Sequence, residues 1–176
     1  QLETLSPCIG CLLGCVPNMF AGKPITCAVN PCVGRECELS PAPEKKRVTV
    51  VGGGPGGLYA AWACAVRGHQ VTLVEKASEL GGNFRIAAYP TGKGQLTEAI
   101  RSMIVKCQQA GVDLRCGVEA EEMLLRSLAP DAIILATGST PLILPIPGLA
   151  DCGDVTAQDM QDGKAQIGKC VLLVAG

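Results

Sequence analysis

Four cysteines near the start of the chain stand at a spacing that suits a bound inorganic group. They are Cys8, Cys11, Cys15 and Cys27, in the pattern C-x2-C-x3-C-x11-C. Three thiolates in one compact loop, with a fourth reached from elsewhere, match the corners of a cubane cluster. Structural zinc uses the same donors but usually takes two separated C-x2-C knuckles, so zinc is the rival reading. Disulfides fit poorly, because cysteines this close rarely meet the Cβ geometry that an S–S bond requires. Ile9, Leu12, Leu13, Val16 and Ile25 surround the four thiols with apolar side chains, and a dry shell tunes a redox group. The pattern points to a [4Fe–4S] cluster on Cys8, Cys11, Cys15 and Cys27. Cys32 and Cys37 lie close enough in sequence to be alternative ligands.

A second constellation begins at Gly52. "GGGPGG" supplies Gly52, Gly54 and Gly57 in G-x-G-x-x-G spacing. It follows the apolar run "RVTVVG", opens an Ala-rich stretch, and is answered by Glu75 at the end of the next run, "QVTLVEK". That context separates a dinucleotide fingerprint from a chance glycine cluster. Gly52 allows the tight turn, Gly54 lets a pyrophosphate approach the backbone, and Gly57 lets the helix pack close to the strand. The helix N-terminus offers free N–H groups and the positive end of its dipole to the phosphates. Glu75 can accept hydrogen bonds from a ribose. The glycine pair in "ASELGGN" and the later "ATGS" resemble the FAD domain of flavoproteins with two dinucleotide folds, so FAD is expected rather than NAD(P).

Positioning these residues requires elements of two kinds. Residues 1–40 are rich in Cys, Pro and Gly without sustained periodicity, and read as an irregular module organised by its ligand. A polar, proline-bearing linker covers 41–47. The pattern then becomes regular, with a strand over Arg47–Gly52, a helix over Gly57–Arg67 stopped by Gly68, and a strand over Gln70–Lys76. Together they form a β–α–β unit. A helix over Leu96–Ala110, strands over Val112–Val118 and Asp131–Ser139, and an extended, proline-rich Pro141–Gly148 follow. Gly168–Gly176 reads as a further buried strand. The expected fold class is α/β: a Cys-rich irregular iron–sulfur module, then an incomplete Rossmann-like (glutathione-reductase-type) FAD-binding parallel sheet over 48–145.

Composition bounds the rest. The chain has 176 residues, 48 % of them hydrophobic and 3 % aromatic, and a net charge of −1. The basic footprint of a nucleic-acid binder is missing. No apolar run approaches the roughly 18 residues a membrane span needs, and no secretory signal is visible at "QLETLSPCIG". The first residue is not Met, which reads as a processed or excised end. An odd count of eleven cysteines, beside a nucleotide fold, argues for a reducing, cytoplasmic setting. Tyr59 and Trp62 read as packing residues on the first helix, and His69 as a turn residue. Cys64, Cys107, Cys116 and Cys170 read as small hydrophobes. Lys93, in "PTGKG", reads equally as a loop cation or a flavin contact.

"CIGCLLGC…GKPITCAVNPCVGRE", followed by "RVTVVGGGPGGLYAAWACAVRGHQVTLVEKASELGGNFRIAAYPTGKGQL", resembles the NADH:flavin oxidoreductases. That family includes bacterial 2,4-dienoyl-CoA reductase, and trimethylamine dehydrogenase is a relative. The resemblance runs from Cys8 to the end. The x3 spacing between Cys11 and Cys15 is similar to the reductase branch, with an amine dehydrogenase-type member as the alternative. The resemblance implies an FMN-binding (β/α)8 barrel, a [4Fe–4S] module, and a pair of domains for FAD and NAD(P)H. Hydride would enter at FAD, and electrons would pass through the cluster to FMN, which reduces an activated C=C bond such as an enoyl- or dienoyl-CoA.

By motif position the resemblance assigns Cys8, Cys11, Cys15 and Cys27 to the cluster, and Gly56 and Glu75 to FAD. Lys93 falls on a family FAD contact and Ala120 on the adenine side. Asn83 stands where the family usually has Gln. Lys76, Gly82, Thr137 and Gly138 complete the candidate FAD contacts. The departure is large, because no barrel, no FMN site and no proton donor to a substrate are present. Residues 146–176 would be the connection and first strand of a truncated NAD(P)H-binding domain. The chain thus reads as a fragment whose partners are the FMN-barrel and NAD(P)H portions of the same enzyme, with no nucleic acid and no membrane. The alternative from another class is a zinc-stabilised NAD-binding module with a regulatory or scaffolding role.

Overall fold

The computed structural model describes residues 2–149, 151, 155–161, 163, 165 and 168–171. These fall into two compact units, one up to Gly138 and one from Ser139 onward.

In the first unit the cysteine segment holds only short helical pieces, Leu2–Thr4, α1 (Val16–Phe20) and Glu36–Glu38. The regular part follows: β1 (Arg47–Val51), α2 (Pro55–Val66), β2 (Gln70–Glu75), α3 (Asn83–Ala87), α4 (Gly94–Gln109), β3 (Asp113–Cys116), α5 (Glu122–Leu128) and β4 (Ala132–Leu135). The four strands form one sheet in the order β3-β2-β1-β4, and every pair is parallel. This is the β–α–β arrangement that the sequence predicts.

The β-branched runs of β1 and β2 explain their place at the centre. Val48, Thr49, Val50, Val71, Leu73 and Val74 are all buried, as expected where both faces of a parallel sheet are covered. α4 buries Ala99, Ile100, Met103 and Cys107, a stripe at helical spacing that packs onto α2 and the core. α2 is apolar on nearly all sides and buries Gly57, Leu58 and Ala61.

Several boundaries differ from the expected ones for identifiable reasons. α2 starts at Pro55 rather than Gly57, because a proline's fixed φ and missing N–H suit the first helical turn. β3 stops at Cys116 because its partner β2 ends at Glu75. β4 stops at Leu135 because β1 gives way to the glycine loop after Val51. The short helices α3 and α5 occupy stretches too brief to show a period. The expected strand over Gly168–Gly176 lies mostly outside the described residues, as does the side chain of Cys37.

The cysteine segment is not independent of the sheet. Val29 is 2 % exposed and belongs to the same buried cluster as Val48, Val50, Leu58 and Leu73. Ile9 and Cys27 pack against that cluster too. The linker is tied down as well: the Ala42 N–H donates to Arg67 O at 2.8 Å, and the Gln70 N–H to Lys46 O at 2.9 Å.

The second unit runs without regular structure through Pro141–Ile146, where three prolines remove backbone donors over Pro141–Gly148. Among its described residues it contains one short helix, α6 (Ala157–Gln161). Thr156 and Asp159 cap its start reciprocally: Thr156 N–H and Oγ1 donate to Asp159 Oδ2, and Asp159 N–H donates to Thr156 Oγ1 at 3.1 Å. This is the capping-box device with Asp in place of Glu.

Candidate functional site

The glycine loop sits at the carboxyl end of β1, the edge where open parallel sheets take their ligands. Two of its glycines are sterically compelled. Gly52 has φ +110°, and a Cβ there would stand 2.3 Å from Ala136 O; a Cβ on Gly57 would stand 1.9 Å from Gly52 O. The loop is thereby pressed between α2 and the end of β4. Gly54 and Gly56 differ, since a Cβ on either meets no atom within 4 Å. That open space at the head of a helix is what a bound pyrophosphate requires. α2 carries no acidic residue in its first turn and no side-chain cap at Gly54, so its first-turn N–H groups and dipole face the loop uncompensated.

Glu75 is held in place by the loop itself. Its Oε2 accepts from the Gly53 N–H at 2.6 Å, and its Oε1 accepts from the Ala77 N–H at 2.8 Å. Each carboxylate oxygen keeps a lone pair for a ribose hydroxyl. The "LGG" turn closes over the same point. Gly81 N–H donates to Gly53 O at 2.8 Å, and Gly82, with φ +49°, would bring a Cβ to 3.1 Å from Gly54 Cα. Gly53 and Gly81 thus join the site although the fingerprint treats both as free positions. The available signal was glycine at three successive positions, Gly52 to Gly54, and the doubled glycine after Leu80.

The structure brings Gly52, Gly54, Gly57, Glu75 and Gly82 together, with Gly56 in the first turn of α2. Thr137 joins them through its N atom, 3.2 Å from a Cβ placed on Gly52, and Gly138 follows with φ +73°. Ala120 lies two residues beyond Val118, whose N–H donates to Glu75 O at 3.0 Å. Asn83 is exposed at the start of α3, directly after Gly82. Lys76 and Lys93 are exposed, and among the described residues no hydrogen bond or ion pair joins either to the loop. His69 is a turn residue, as expected, its Nδ1 accepting from Lys46 N–H at 3.2 Å. It borders a hollow of about 410 Å³ at the opposite strand ends, among Lys45, Arg47 and Asp131.

The four cysteines of the first pattern are all free thiols, Cys8 exposed and Cys11, Cys15 and Cys27 half-buried. Their loop turns sharply through Gly10 at φ +67° and Leu12 at φ +54°, and the Gly10 N–H donates to Cys8 Sγ at 3.4 Å. The remote cysteine is drawn in by a backbone approach. Thr26 N–H donates to Gly14 O at 3.2 Å, and a Cβ on Gly14 would stand 2.1 Å from Thr26 Oγ1. Cys15 and Cys27 are the residues that follow this contact in sequence. Among the described residues no three His, Cys, Asp or Glu side chains gather closely enough to hold a metal ion. The four thiols are of the donor type that a four-thiolate group takes, but the structure does not gather them into one site.

Between this segment and the sheet lies a polar cluster that the sequence does not announce. Lys106, in the last turn of α4, donates from Nζ to Ser6 Oγ at 2.6 Å and stands 5.7 Å from the Trp62 ring centre. Tyr59 packs edge-on against Trp62 with ring centres 5.0 Å apart. Its hydroxyl is buried without a hydrogen-bond partner; burial and the nearby Cys32 thiol push its pKa well up. Burial lowers the pKa of Lys106, an effect that Cys32 opposes. Cys107, fully buried, donates to Leu58 O at 3.1 Å, and burial raises its thiol to about 11, as suits a packing residue.

A family model for an NAD(P)-binding Rossmann-like domain matches residues 50–100, the span of the glycine loop, Glu75 and the "LGG" turn. Over 80 % of its length the chain is 43 % identical to an NADH oxidase of Thermoanaerobacter brockii, covering 22 % of that protein. It is 34 % identical over its whole length to a cinnamate reductase of Clostridium sporogenes, covering 26 % of that protein. A solved 2-naphthoyl-CoA reductase complex superposes with a TM-score of 0.87 at 33 % identity, over 94 % of this chain and 26 % of that one. The chain is similar to one segment of these reductases and oxidases, as the resemblance to the NADH:flavin oxidoreductases implies. It spans about a quarter of the length of these relatives, all of which are oxidoreductases. The matched segment includes the glycine loop built above, so the site belongs to the dinucleotide-binding fold of a flavin-type oxidoreductase. Among the described residues no helix is long and apolar enough to cross a membrane.

Proposed function

We propose that this chain is the electron-transfer segment of an NAD(P)H-dependent flavin and iron–sulfur oxidoreductase that reduces an activated C=C bond. The observation that carries the proposal is the open space over Gly54 and Gly56 at the head of α2, with Glu75 fastened beside it. A four-thiol segment packs on the same core. FAD is the dinucleotide proposed. Held by Gly54, Gly56, Gly57 and Glu75, it would supply hydride-accepting and one-electron redox chemistry.

The chain's own residues do the holding. The amides of Gly54, Gly56 and Gly57 and the α2 dipole take the pyrophosphate. Glu75, pre-set by Gly53 and Ala77, takes the ribose, and Gly82 closes the loop from above. Asn83, Lys76, Lys93, Ala120, Thr137 and Gly138 form the proposed rim of contacts. Cys8, Cys11, Cys15 and Cys27 would hold the cluster, with the half-buried Ile9 and Val16 beside them, while Leu12, Leu13 and Ile25 stand exposed rather than forming the dry shell that the sequence suggests.

FMN on a (β/α)8 barrel and an NAD(P)H-binding domain, reached through residues 146–176, are proposed for other parts of the protein, in the cytoplasm. The cinnamate and naphthoyl-CoA reductase names favour an α,β-unsaturated acid or thioester. The test is a substrate comparison on the full-length enzyme under anaerobic conditions. NAD(P)H oxidation driven by a cinnamate- or enoyl-CoA-type acceptor supports the reading. Oxidation of a methylated amine with no acceptor reduction would transfer the segment to an amine dehydrogenase.

A further inference from the structure

The amino ends of β1, β2 and β4 surround a hollow of about 410 Å³, at the sheet edge away from the glycine loop. Small-ligand sites usually enclose about 300–1,000 Å³. Lys45, Lys46, Arg47 and His69 line the hollow, and Asp131 is the one acidic residue among its described walls. Those walls are fixed by backbone bonds. Gln70 N–H donates to Lys46 O at 2.9 Å, and Asp131 N–H to Arg47 O at 2.9 Å. Lys46 N–H donates to His69 Nδ1 at 3.2 Å. A neutral imidazole that accepts at Nδ1 carries its proton on Nε2, where it can donate. Lys45 lies along the turn between α2 and β2, its Cε 3.9 Å from where a Cβ on Gly68 would stand.

The charges around the hollow do not balance. Asp131 accepts from Arg47 through both oxygens, at 2.7 and 3.2 Å, and the charge of Lys46 acts on it as well. Among the described residues no carboxylate forms an ion pair with Lys45 or Lys46. Two lysines and an arginine thus face a single carboxylate that the guanidinium already holds, in a chain of net charge −1. Like charges gathered at one place repel, and an anion seated among them relieves that cost.

We propose that this hollow is a second anion site, distinct from the glycine loop, which takes a phosphate group, free or carried on a nucleotide, between Lys45, Lys46 and His69. Lysine binds phosphate as a point charge, and the imidazole adds a neutral donor. The site shares no residue with the flavin or cluster readings and stands apart from both.

The test titrates inorganic pyrophosphate by calorimetry, at low ionic strength, into the full-length enzyme with its cofactors bound, so that the glycine loop is already filled. Wild type is compared with the double variant Lys45→Gln, Lys46→Gln and with Asp131→Asn. The double variant is expected to bind at least about tenfold more weakly. Asp131→Asn should bind several-fold more tightly, because the opposing charge is removed and the Arg47 guanidinium is freed. Equal affinity in wild type and the double variant overturns the proposal. Should the double variant fail to fold, Asp131→Asn decides: tighter binding supports the site, and unchanged or weaker binding overturns it. Adenosine 3′,5′-bisphosphate, titrated in the same way, separates the sources. If the binding that the double variant loses is tighter than that of pyrophosphate, the phosphate is nucleotide-borne; if weaker, it is free, and either result upholds the site.

Discussion

The Gly53 amide and the Glu75 carboxylate meet at 2.6 Å across the carboxyl ends of β1 and β2. The contact joins the glycine loop to the acidic residue before any ligand arrives. A ribose binding there finds its acceptor already oriented, so less ordering entropy remains to be lost.

Glu75→Gln should therefore weaken both the loop and the site. The amide keeps one acceptor oxygen where the carboxylate uses two, so either Gly53 or Ala77 loses its partner. A hydrogen bond to a charged group contributes about 1.5–3 kcal/mol, and a loss of that size is expected in urea unfolding. Flavin affinity should fall roughly tenfold or more, as one lost charged contact implies. Unchanged flavin retention after gel filtration would remove Glu75 from the site.

Gly57→Ala and Gly54→Ala should separate structure from binding. At Gly57 the added methyl meets Gly52 O at 1.9 Å, a backbone atom that cannot step aside. The expected cost is about 3 kcal/mol, at the upper end for overpacking. At Gly54 the backbone is φ −72° and ψ 177°, which alanine adopts freely, and nothing lies within 4 Å. That variant should melt near the wild-type temperature yet lose flavin. A Gly54→Ala protein that retains full flavin would mean that no pyrophosphate lies over the loop.

These two glycines also show what a sequence can convey. The β–α–β unit, its parallel pairing and the Gly52–Gly57 turn were legible because each rests on local chemistry: β-branched runs, helix stops and fixed glycine spacing. Gly53 was not, because its contribution is a backbone N–H aimed at a side chain 22 positions away. Val29 was not, because a lone valine in an irregular segment carries no period. Its burial changes the picture of residues 1–40 from an irregular module organised by its ligand to a segment that shares the buried core of the sheet. Lys106 reads in sequence as an ordinary helix-end cation, and only the packing of Ser6 and Trp62 around it reveals otherwise.

The edge pairing of β1 with β4 should be acid-sensitive through Asp131. Its Oδ2 accepts from the Arg47 N–H at 2.7 Å, and its Oδ1 from Arg47 Nη2 at 3.2 Å. Those bonds from Arg47 hold its carboxyl below the ordinary value of 3.8. A depressed folded-state pKa gives stability that is complete above the unfolded value and is lost as pH falls through the folded one. Asp131→Asn should thus lower stability at neutral pH, where the carboxylate's contribution is complete, and flatten the acid limb below about pH 4, so that variant and wild type converge in acid. An acid limb of wild-type steepness in the variant would assign the pH dependence to other carboxylates.

The central claim is that one short stretch of chain carries both a flavin site and a four-thiolate cluster. Cofactor content of the full-length enzyme, purified without oxygen, tests it most directly. The account predicts FAD released on denaturation, with iron and acid-labile sulfide near four each per cluster, both lost in Cys11→Ser while FAD remains. Stoichiometric zinc with no iron, or iron unchanged in Cys11→Ser, would contradict it.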